Sequence, residues 1–144
     1  MSGKKQRIFL DTSVIIRFFT ADDVKKFEDC KTLFEQIEEG VYVPYIANTV
    51  IMESVFVLTK LYAFPKDRVV KTIQSLLSMR NMTVVEKTDS TKALKLFSAH
   101  NVSFGDCMIA SQVPAGVRLV TYDADFSHIG LVFVTPAKLL TPNS

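Results

Sequence analysis

The sequence has few of the residues that build disulfide frameworks or zinc sites. Its 144 residues include two cysteines, Cys30 and Cys107, which lie far apart in the chain without a CxxC spacing or companion histidines. This scarcity excludes a disulfide-stabilised secreted scaffold and a structural zinc site. We therefore expect both thiols to be reduced core residues of a cytoplasmic protein.

Glycine and proline are also scarce, with five residues of each type. They form neither a Gly-rich phosphate-binding loop nor a Pro/Gly/Ser-rich linker, so nucleotide hydrolysis of the P-loop kind is not indicated. A chain of 16.2 kDa without a linker is expected to form a single domain over residues 1–144. Binding and chemistry would then share one surface.

Long apolar runs and a strong excess of one charge are absent as well. No run approaches the roughly 18 apolar residues of a membrane helix, and Asp11 interrupts the apolar run that follows the basic N-terminus. We expect no signal peptide and no membrane partner. Seventeen Lys and Arg residues against fifteen Asp and Glu residues give a net charge of +2, too weak an average field to indicate nucleic-acid binding.

Short apolar runs alternate with helical patterns along the chain. Residues 7–10, 82–85, 117–120 and 131–134 are typical of buried strands, and residues 41–46 fit either a strand or a connection. Helical spacing or capping residues predict helices over 21–39, 48–61, 65–77, 90–99 and 103–113. Strands that alternate with helices predict a parallel sheet covered by helices on both faces.

The same patterns predict which helix faces are buried. The helix over 48–61 is apolar nearly all round, which predicts burial on all sides. Val24, Leu94 and Phe97 fall on the predicted inward faces of their helices.

Two aspartates follow predicted strands. Asp11 comes directly after residues 7–10, and Asp123 lies two residues beyond Thr121, which follows residues 117–120. Because open parallel sheets bind ligands at the carboxyl ends of their strands, both acids are placed at the functional edge. The alternative role of each is to cap the helix that follows.

Two further acids interrupt apolar patterns. Glu53 lies in the apolar helix, where a buried carboxylate needs a basic partner, a raised pKa or a metal ion. Asp106 is the fourth residue of a stretch that begins at Ser103, where it either completes a capping box or joins the other acids. Four acids in one crevice repel each other, and a divalent cation is the usual compensation. Oxygen ligands without His or Cys favour Mg²⁺ or Mn²⁺, which hydrolyse phosphodiesters without a protein nucleophile.

Four motifs follow one another along the chain. They span residues 9–20, 51–59, 104–110 and 121–126, and they begin with FLDTS, IMES, FGD and TYDAD. In this order they resemble the motifs of the PIN-domain ribonucleases, most closely the small VapC-type toxins. The resemblance covers residues 9–134. It implies a PIN-like three-layer α/β/α sandwich with a central, mostly parallel sheet, and endoribonuclease activity on RNA with Mg²⁺ or Mn²⁺. It also implies a homodimer and, for a toxin, an antitoxin protein as partner.

The resemblance also implies roles for individual residues. An acidic quartet would bind the metal and carry the catalysis: Asp11, Glu53, Asp106 and Asp123. Three hydroxyl residues would orient the acids or bind water: Thr12, Ser13 and Thr121. Asp125 is an alternative to Asp123 as the fourth acid, and it could instead cap a short helix. The sequence does not decide between the two aspartates.

Other functions stay open at this stage. Many relatives carry an additional acid at the position of Ser103, and its absence here is compatible with a PIN scaffold that binds RNA or protein without turnover. Two other nucleases would use the same acids: an RNA-processing nuclease that is not a toxin, and a structure-specific DNA nuclease.

The charge outside the predicted site is more positive than the net charge of the whole chain. If four acids belong to a metal site, eleven acidic residues remain against 17 basic residues. Arg17, Lys60 and Arg68 are among the candidates for an RNA path over this basic remainder.

Overall fold

The fold is described from a computed structural model, which covers residues 5–141. The elements, in chain order, are β1 (Gln6–Leu10), α1 (Thr12–Thr20), α2 (Val24–Glu38), β2 (Tyr42–Ala47), α3 (Asn48–Lys60), α4 (Lys66–Leu77), β3 (Thr83–Val85), α5 (Ser90–Ala99), α6 (Phe104–Gln112), β4 (Arg118–Val120), a 3₁₀ helix (Ala124–Ile129), β5 (Phe133–Val134) and α7 (Pro136–Leu140). None of the helices within residues 5–141 has both the length and the apolar character needed to cross a bilayer.

The five strands form one sheet in the order β3-β2-β1-β4-β5, and every neighbouring pair is parallel. The chain moves from β1 to β2 and β3 in one direction, then crosses back to β4 and β5 in the other. Right-handed crossovers therefore place α1 to α4 on one face of the sheet and α5 and α6 on the other. The predicted α/β fold with a parallel sheet is confirmed. The direction reverses between β1 and β4, which defines the crevice for ligands in open parallel sheets.

The central strand is buried on both of its faces. Ile8, Phe9 and Leu10 of β1 are fully inaccessible to solvent, and they pack in one core cluster with residues of α2, α6 and β4. A strand covered on both sides needs a continuous apolar run rather than an alternating one. The burial of these three side chains fixes β1, and with it the position of Asp11 at its end.

Residues 41–46, which fit either a strand or a connection, contain most of strand β2. Pro44 pairs in register with Ile8 of β1, whereas the pairing of β2 with β3 begins one residue later, at Tyr45. Pro44 therefore lies where only one side of β2 is paired in the ladder. A proline without a backbone N–H is compatible with a strand at such a place.

Two helices, α1 and α7, lie outside the helices that the sequence predicts. The α1 helix has nine residues, five of them apolar, and so short a stretch resembles an apolar run in the sequence. It ends at Ala21, which adopts a left-handed conformation with φ of 54°. The α7 helix has five residues, too few for a periodic pattern.

Several predictions of burial and capping are wrong. Only Val50, Ser54 and Leu58 of α3 are buried, because α3 meets its neighbours along a single stripe of residues four apart. Asn48 and Thr49 are the capping candidates in the sequence of α3, but its N-cap is Ala47, and Asn48 donates a hydrogen bond to the Glu86 carbonyl. Six side chains on predicted inward faces or apolar helix stripes are exposed because no described element covers them: Val24, Met52, Phe56, Val70, Leu94 and Phe97.

Candidate metal-binding and active site

The carboxyl end of the sheet holds a pocket of about 300 Å³, and all four acids of the predicted quartet line it. Asp11 reaches it from the end of β1, and Glu53 from the middle of α3. Asp106 reaches it from the first turn of α6, and Asp123 from the segment after β4. The crevice at the reversal of strand order is thus an acidic one.

Asp11 is the most buried acid of the pocket, with 4% of its surface exposed. Its backbone N–H donates to the Val120 carbonyl of β4, and its Oδ2 accepts from the hydroxyls of Thr121 at 2.6 Å and Ser13 at 3.1 Å. Its side chain does not cap α1, so the capping alternative is wrong for Asp11. The pKa of Asp11 is raised, chiefly because the carboxyl group is buried. The hydrogen bonds from Thr121 and Ser13 lower this pKa, and the nearby charge of Glu53 raises it, but both effects are smaller than that of burial.

Hydroxyl groups join the ends of β1 and β4. Thr121 Oγ1 accepts from the backbone N–H of Asp123 at 2.9 Å, and Ser13 Oγ accepts from the N–H of Tyr122 at 3.0 Å. The two hydroxyl oxygens lie 3.1 Å apart. The hydroxyl proton of Thr121 is donated to Asp11, so the buried carboxylate is held in one orientation. The hydrogen bonds that Thr121 and Ser13 accept from the backbone also order the segment that carries Asp123.

Asp106 lies at the start of α6, where the Ser103 hydroxyl accepts a hydrogen bond from its backbone N–H. This half of the predicted capping box is confirmed. Burial is the largest cause of a rise in the pKa of Asp106 to about 6, followed by the charge of Asp123, with smaller contributions from Asp11 and Glu53. The helix start lowers the free-energy cost of the Asp106 charge, but burial and the neighbouring acids outweigh this effect.

Asp123 and Asp125 differ in position. Asp123 lines the pocket and also caps the 3₁₀ helix, since its Oδ1 accepts from the N–H of Asp125 at 2.9 Å. The capping role considered for Asp125 therefore belongs to Asp123. Asp125 is exposed and does not line the pocket. It still contributes to a cluster, because one carboxylate oxygen from each of Asp106, Asp123 and Asp125 lies within 4.8 Å of the others.

Glu53 has no basic partner in the described part of the chain. None of the three ion pairs found among residues 5–141 includes it, so the salt-bridge alternative is wrong within that range. Glu53 also lines a second cavity, of about 230 Å³, between α3 and α6. The other side chains of this cavity are largely apolar and include Met52, Phe104 and Met108.

The donor set of the pocket fits a hard divalent cation. Its four carboxylates offer oxygen atoms, and no His or Cys side chain is among the described lining residues. The hydroxyl of Thr12, which also lines the pocket, is buried and has no hydrogen-bond partner among residues 5–141. A buried hydroxyl of this kind is a place for a bound water or an ion. The arrangement can therefore bind a cation, hold a phosphodiester and activate water.

Two polar side chains line the pocket besides the predicted quartet and its hydroxyl residues. They are Arg17 of α1 and Tyr62, which follows α3. The sequence marks Arg17 only as one of several basic residues and Tyr62 only as part of an apolar stretch that could contact a partner protein. Both reach the pocket because α1 packs against α3, a tertiary contact that local patterns do not contain.

The chain belongs to the PIN domain family, whose model matches residues 8–131. It is 24% identical over 129 residues to a VapC ribonuclease of Aquifex aeolicus (strain VF5), an alignment that covers 88% of this chain and 95% of that protein. Its fold is similar to Mycobacterium tuberculosis VapC20, a toxin described as cleaving the sarcin-ricin loop. That comparison has a TM-score of 0.67 at 22% identity and covers 90% of this chain and 99% of VapC20.

A second solved structure with a similar fold is VapBC2 from Rickettsia felis, determined with a DNA fragment from the promoter of the pair. The TM-score is 0.65 at 15% identity, and the match covers 90% of this chain and 98% of that chain. The resemblance to PIN-domain proteins of the VapC type is thereby confirmed, together with the predicted fold.

Proposed function

We propose that this protein is a metal-dependent endoribonuclease that hydrolyses RNA phosphodiester bonds and acts as the toxin of a type II toxin-antitoxin pair. The observation that carries the proposal is the convergence of four acids from four segments in one pocket of a PIN domain. The names of its relatives, a VapC ribonuclease and an RNA-cleaving VapC toxin, support the same reaction. We also propose that it acts in the cytoplasm, in keeping with the free thiols of Cys30 and Cys107.

Each pocket residue has a role in this proposal. Mg²⁺ or Mn²⁺ would be held by the quartet of Asp11, Glu53, Asp106 and Asp123, and when bound it would activate water and offset charge on the phosphodiester. Ser13 and Thr121 orient Asp11, as their hydrogen bonds to its Oδ2 indicate. The Thr12 hydroxyl, which has no hydrogen-bond partner among residues 5–141, would bind a water molecule at the pocket wall.

Removal of the metal tests the proposal directly. With a structured RNA and Mg²⁺ or Mn²⁺, we expect internal cleavage that leaves 5′-phosphate and 3′-hydroxyl ends. A chelator should lower the rate by more than about a hundredfold, and excess Mg²⁺ should restore it. Gel electrophoresis of end-labelled RNA measures the rate, and calorimetry with Mn²⁺ measures the binding. Cleavage that continues in chelator would contradict the proposal, and a pocket that binds no Mn²⁺ at millimolar concentration would favour the scaffold.

The fourth acid can be identified with a pair of matched variants. We expect Asp123→Asn to lower kcat/KM for RNA by about a hundredfold, because Asp123 lines the pocket and raises the pKa of Asp106. Asp125→Asn should change it by less than about fivefold, because Asp125 is exposed and outside the pocket lining. Both variants remove one carboxylate from the same short segment. The reverse order of effects would assign the role to Asp125.

We also propose two protein partners, a cognate antitoxin and a second copy of this chain. The structure of VapBC2 contains the pair of that system, which supports an antitoxin partner here. Exposed apolar side chains on α3, α5 and α6 offer surface for such contacts: Met52, Phe56, Leu94, Phe97 and Phe104. Light scattering over a concentration series distinguishes a mass of 16.2 kDa from twice that value.

A further inference from the structure

One basic and one aromatic side chain share the pocket with the four acids. Arg17 is the only cationic side chain among the described residues that line it, and Tyr62 contributes an aromatic ring. The proposed hydrolysis assigns no role to either residue. An arginine at the mouth of a strongly acidic pocket would be expected to pair with one of its acids, yet Arg17 does not.

Asp22, outside the pocket lining, holds both side chains instead. Its Oδ1 accepts from Arg17 Nη1 at 3.1 Å and from the Thr20 hydroxyl at 3.1 Å. Its Oδ2 accepts from the hydroxyl of Tyr62 at 2.5 Å. These contacts keep the pKa of Asp22 low, chiefly through the hydrogen bond from Tyr62. One carboxylate thus fixes an arginine and a tyrosine next to each other, and keeps the arginine from the catalytic acids.

Both groups keep binding capacity in this arrangement. The guanidinium has five N–H donors and is one-third exposed, and a single Nη1 contact to Asp22 leaves further donors for a phosphate. The half-buried ring of Tyr62 contacts Phe64 edge to face at 6.4 Å, and the Arg68 guanidinium lies 3.6 Å from the centre of the Phe64 ring. Tyr62, Phe64 and Arg68 therefore form a chain of contacts that begins at the pocket, and aromatic and arginine side chains are combined in this way in surfaces that bind single-stranded nucleic acids.

We propose that Arg17 and Tyr62 form a subsite for the nucleotide next to the cleaved bond, in which Arg17 binds its phosphate and Tyr62 stacks on its base. Asp22 is the positioning residue of this subsite. The inference rests on the proposed RNA cleavage and deepens it, because a base can stack on a side chain only when it is free of a helix. The subsite therefore requires an unpaired nucleotide next to the cleaved bond.

Binding and cleavage measured separately test this subsite. Binding is followed by fluorescence anisotropy with a labelled single-stranded RNA dodecamer in an Asp11→Asn background with Mg²⁺, where the RNA stays intact. Arg17→Ala should raise Kd about tenfold and reduce the slope of log K against log salt by about 0.7, the value for one phosphate contact of a single strand. Tyr62→Leu should raise Kd about tenfold, whereas Tyr62→Phe, which keeps the ring, should stay within about threefold.

Cleavage kinetics in the otherwise unmodified protein should show the same changes in KM. For Asp22→Asn we expect a rise in KM of about threefold with kcat unchanged, since the variant loosens the two binding groups without removing them. Arg118→Ala is the matched control, because it removes the same charge at the amino end of β4, the edge of the sheet opposite the pocket. Arg17→Lys keeps the ion pair with Asp22 and serves as the second variant if Arg17→Ala does not fold. It should recover part of the lost affinity.

The outcomes separate this inference from the proposed function. The wild type could cleave RNA while Arg17→Ala and Tyr62→Leu show the same Kd and the same salt slope as their parent protein. This result would overturn the subsite but leave the proposed nuclease activity in place. Equal affinity for a blunt RNA duplex and for the single strand would also overturn it, as would tighter binding of the matched DNA strand. A wild-type protein that neither binds nor cuts RNA would overturn both.

Discussion

Asp11→Asn is expected to lower the rate of RNA cleavage by about a thousandfold while the protein stays folded. Asp11 is the buried centre of the acidic pocket, and its carboxylate is held by hydroxyls of Ser13 and Thr121. Asparagine has nearly the same shape but lacks the negative charge that a cation requires. Because burial already disfavours the charged form of Asp11, the loss of that charge should not lower the free energy of unfolding in the absence of metal.

Single-turnover cleavage with saturating Mg²⁺ measures this effect, and thermal unfolding in chelator checks the fold. Asp67→Asn is the matched control, because Asp67 is an exposed acid in the first turn of α4, outside the pocket lining. It should cleave at the wild-type rate. Equal cleavage by wild type and Asp11→Asn would refute the assignment of the site.

Asp106→Asn should change activity and stability in opposite directions. Cleavage should fall by about a hundredfold or more, because a pocket carboxylate is lost. In the metal-free protein at about pH 7.5, the melting temperature should rise by about 2–4 °C, since asparagine carries no charge to be penalised by the burial and the neighbouring acids that raise the pKa of Asp106 to about 6. A site built for a cation is thus expected to destabilise the protein that lacks one.

The pH dependence gives this prediction a sign that can be checked. The folded-state pKa of Asp106, about 6, lies above the ordinary value of 3.8. The cost of its charge is therefore present above pH 6 and disappears as the pH falls toward 4. The gain in melting temperature of Asp106→Asn over wild type should shrink over the same range. Cation affinity of the wild type should weaken below about pH 6, because protons compete for the carboxylate. A gain in melting temperature that is constant between pH 4 and 7.5 would contradict this origin.

Much of the acidic pocket at the carboxyl end of the sheet could be predicted because it depends on local signals in the sequence. The run over residues 7–10 and its closing Asp11 define a strand and its end, and the parallel-sheet rule then places Asp11 and Asp123 at one edge. Glu53 and Asp106 stood out because each interrupts an apolar pattern, and the structure places both in the same pocket. The roles of these acids and the single-domain organisation stay predictions.

The remaining features depend on contacts between distant segments. Tyr62 reaches the pocket only because α1 packs against α3. The hydrogen bond from the Tyr62 hydroxyl to Asp22 joins residues that are 40 positions apart in the chain. The burial of α3 was overestimated because periodicity shows which residues are apolar but not whether an element covers them. Met52 and Phe56 are apolar residues of α3 that no described element covers, and their exposed fractions are 69% and 59%.

Glu53 lines two cavities of opposite character. One is the acidic pocket, and the other is the apolar cavity of about 230 Å³ between α3 and α6. A small hydrophobic compound bound in the apolar cavity would therefore contact a glutamate that the acidic pocket shares. If Glu53 helps to hold the cation, as proposed, such a compound would reach the metal site without carrying a charge of its own.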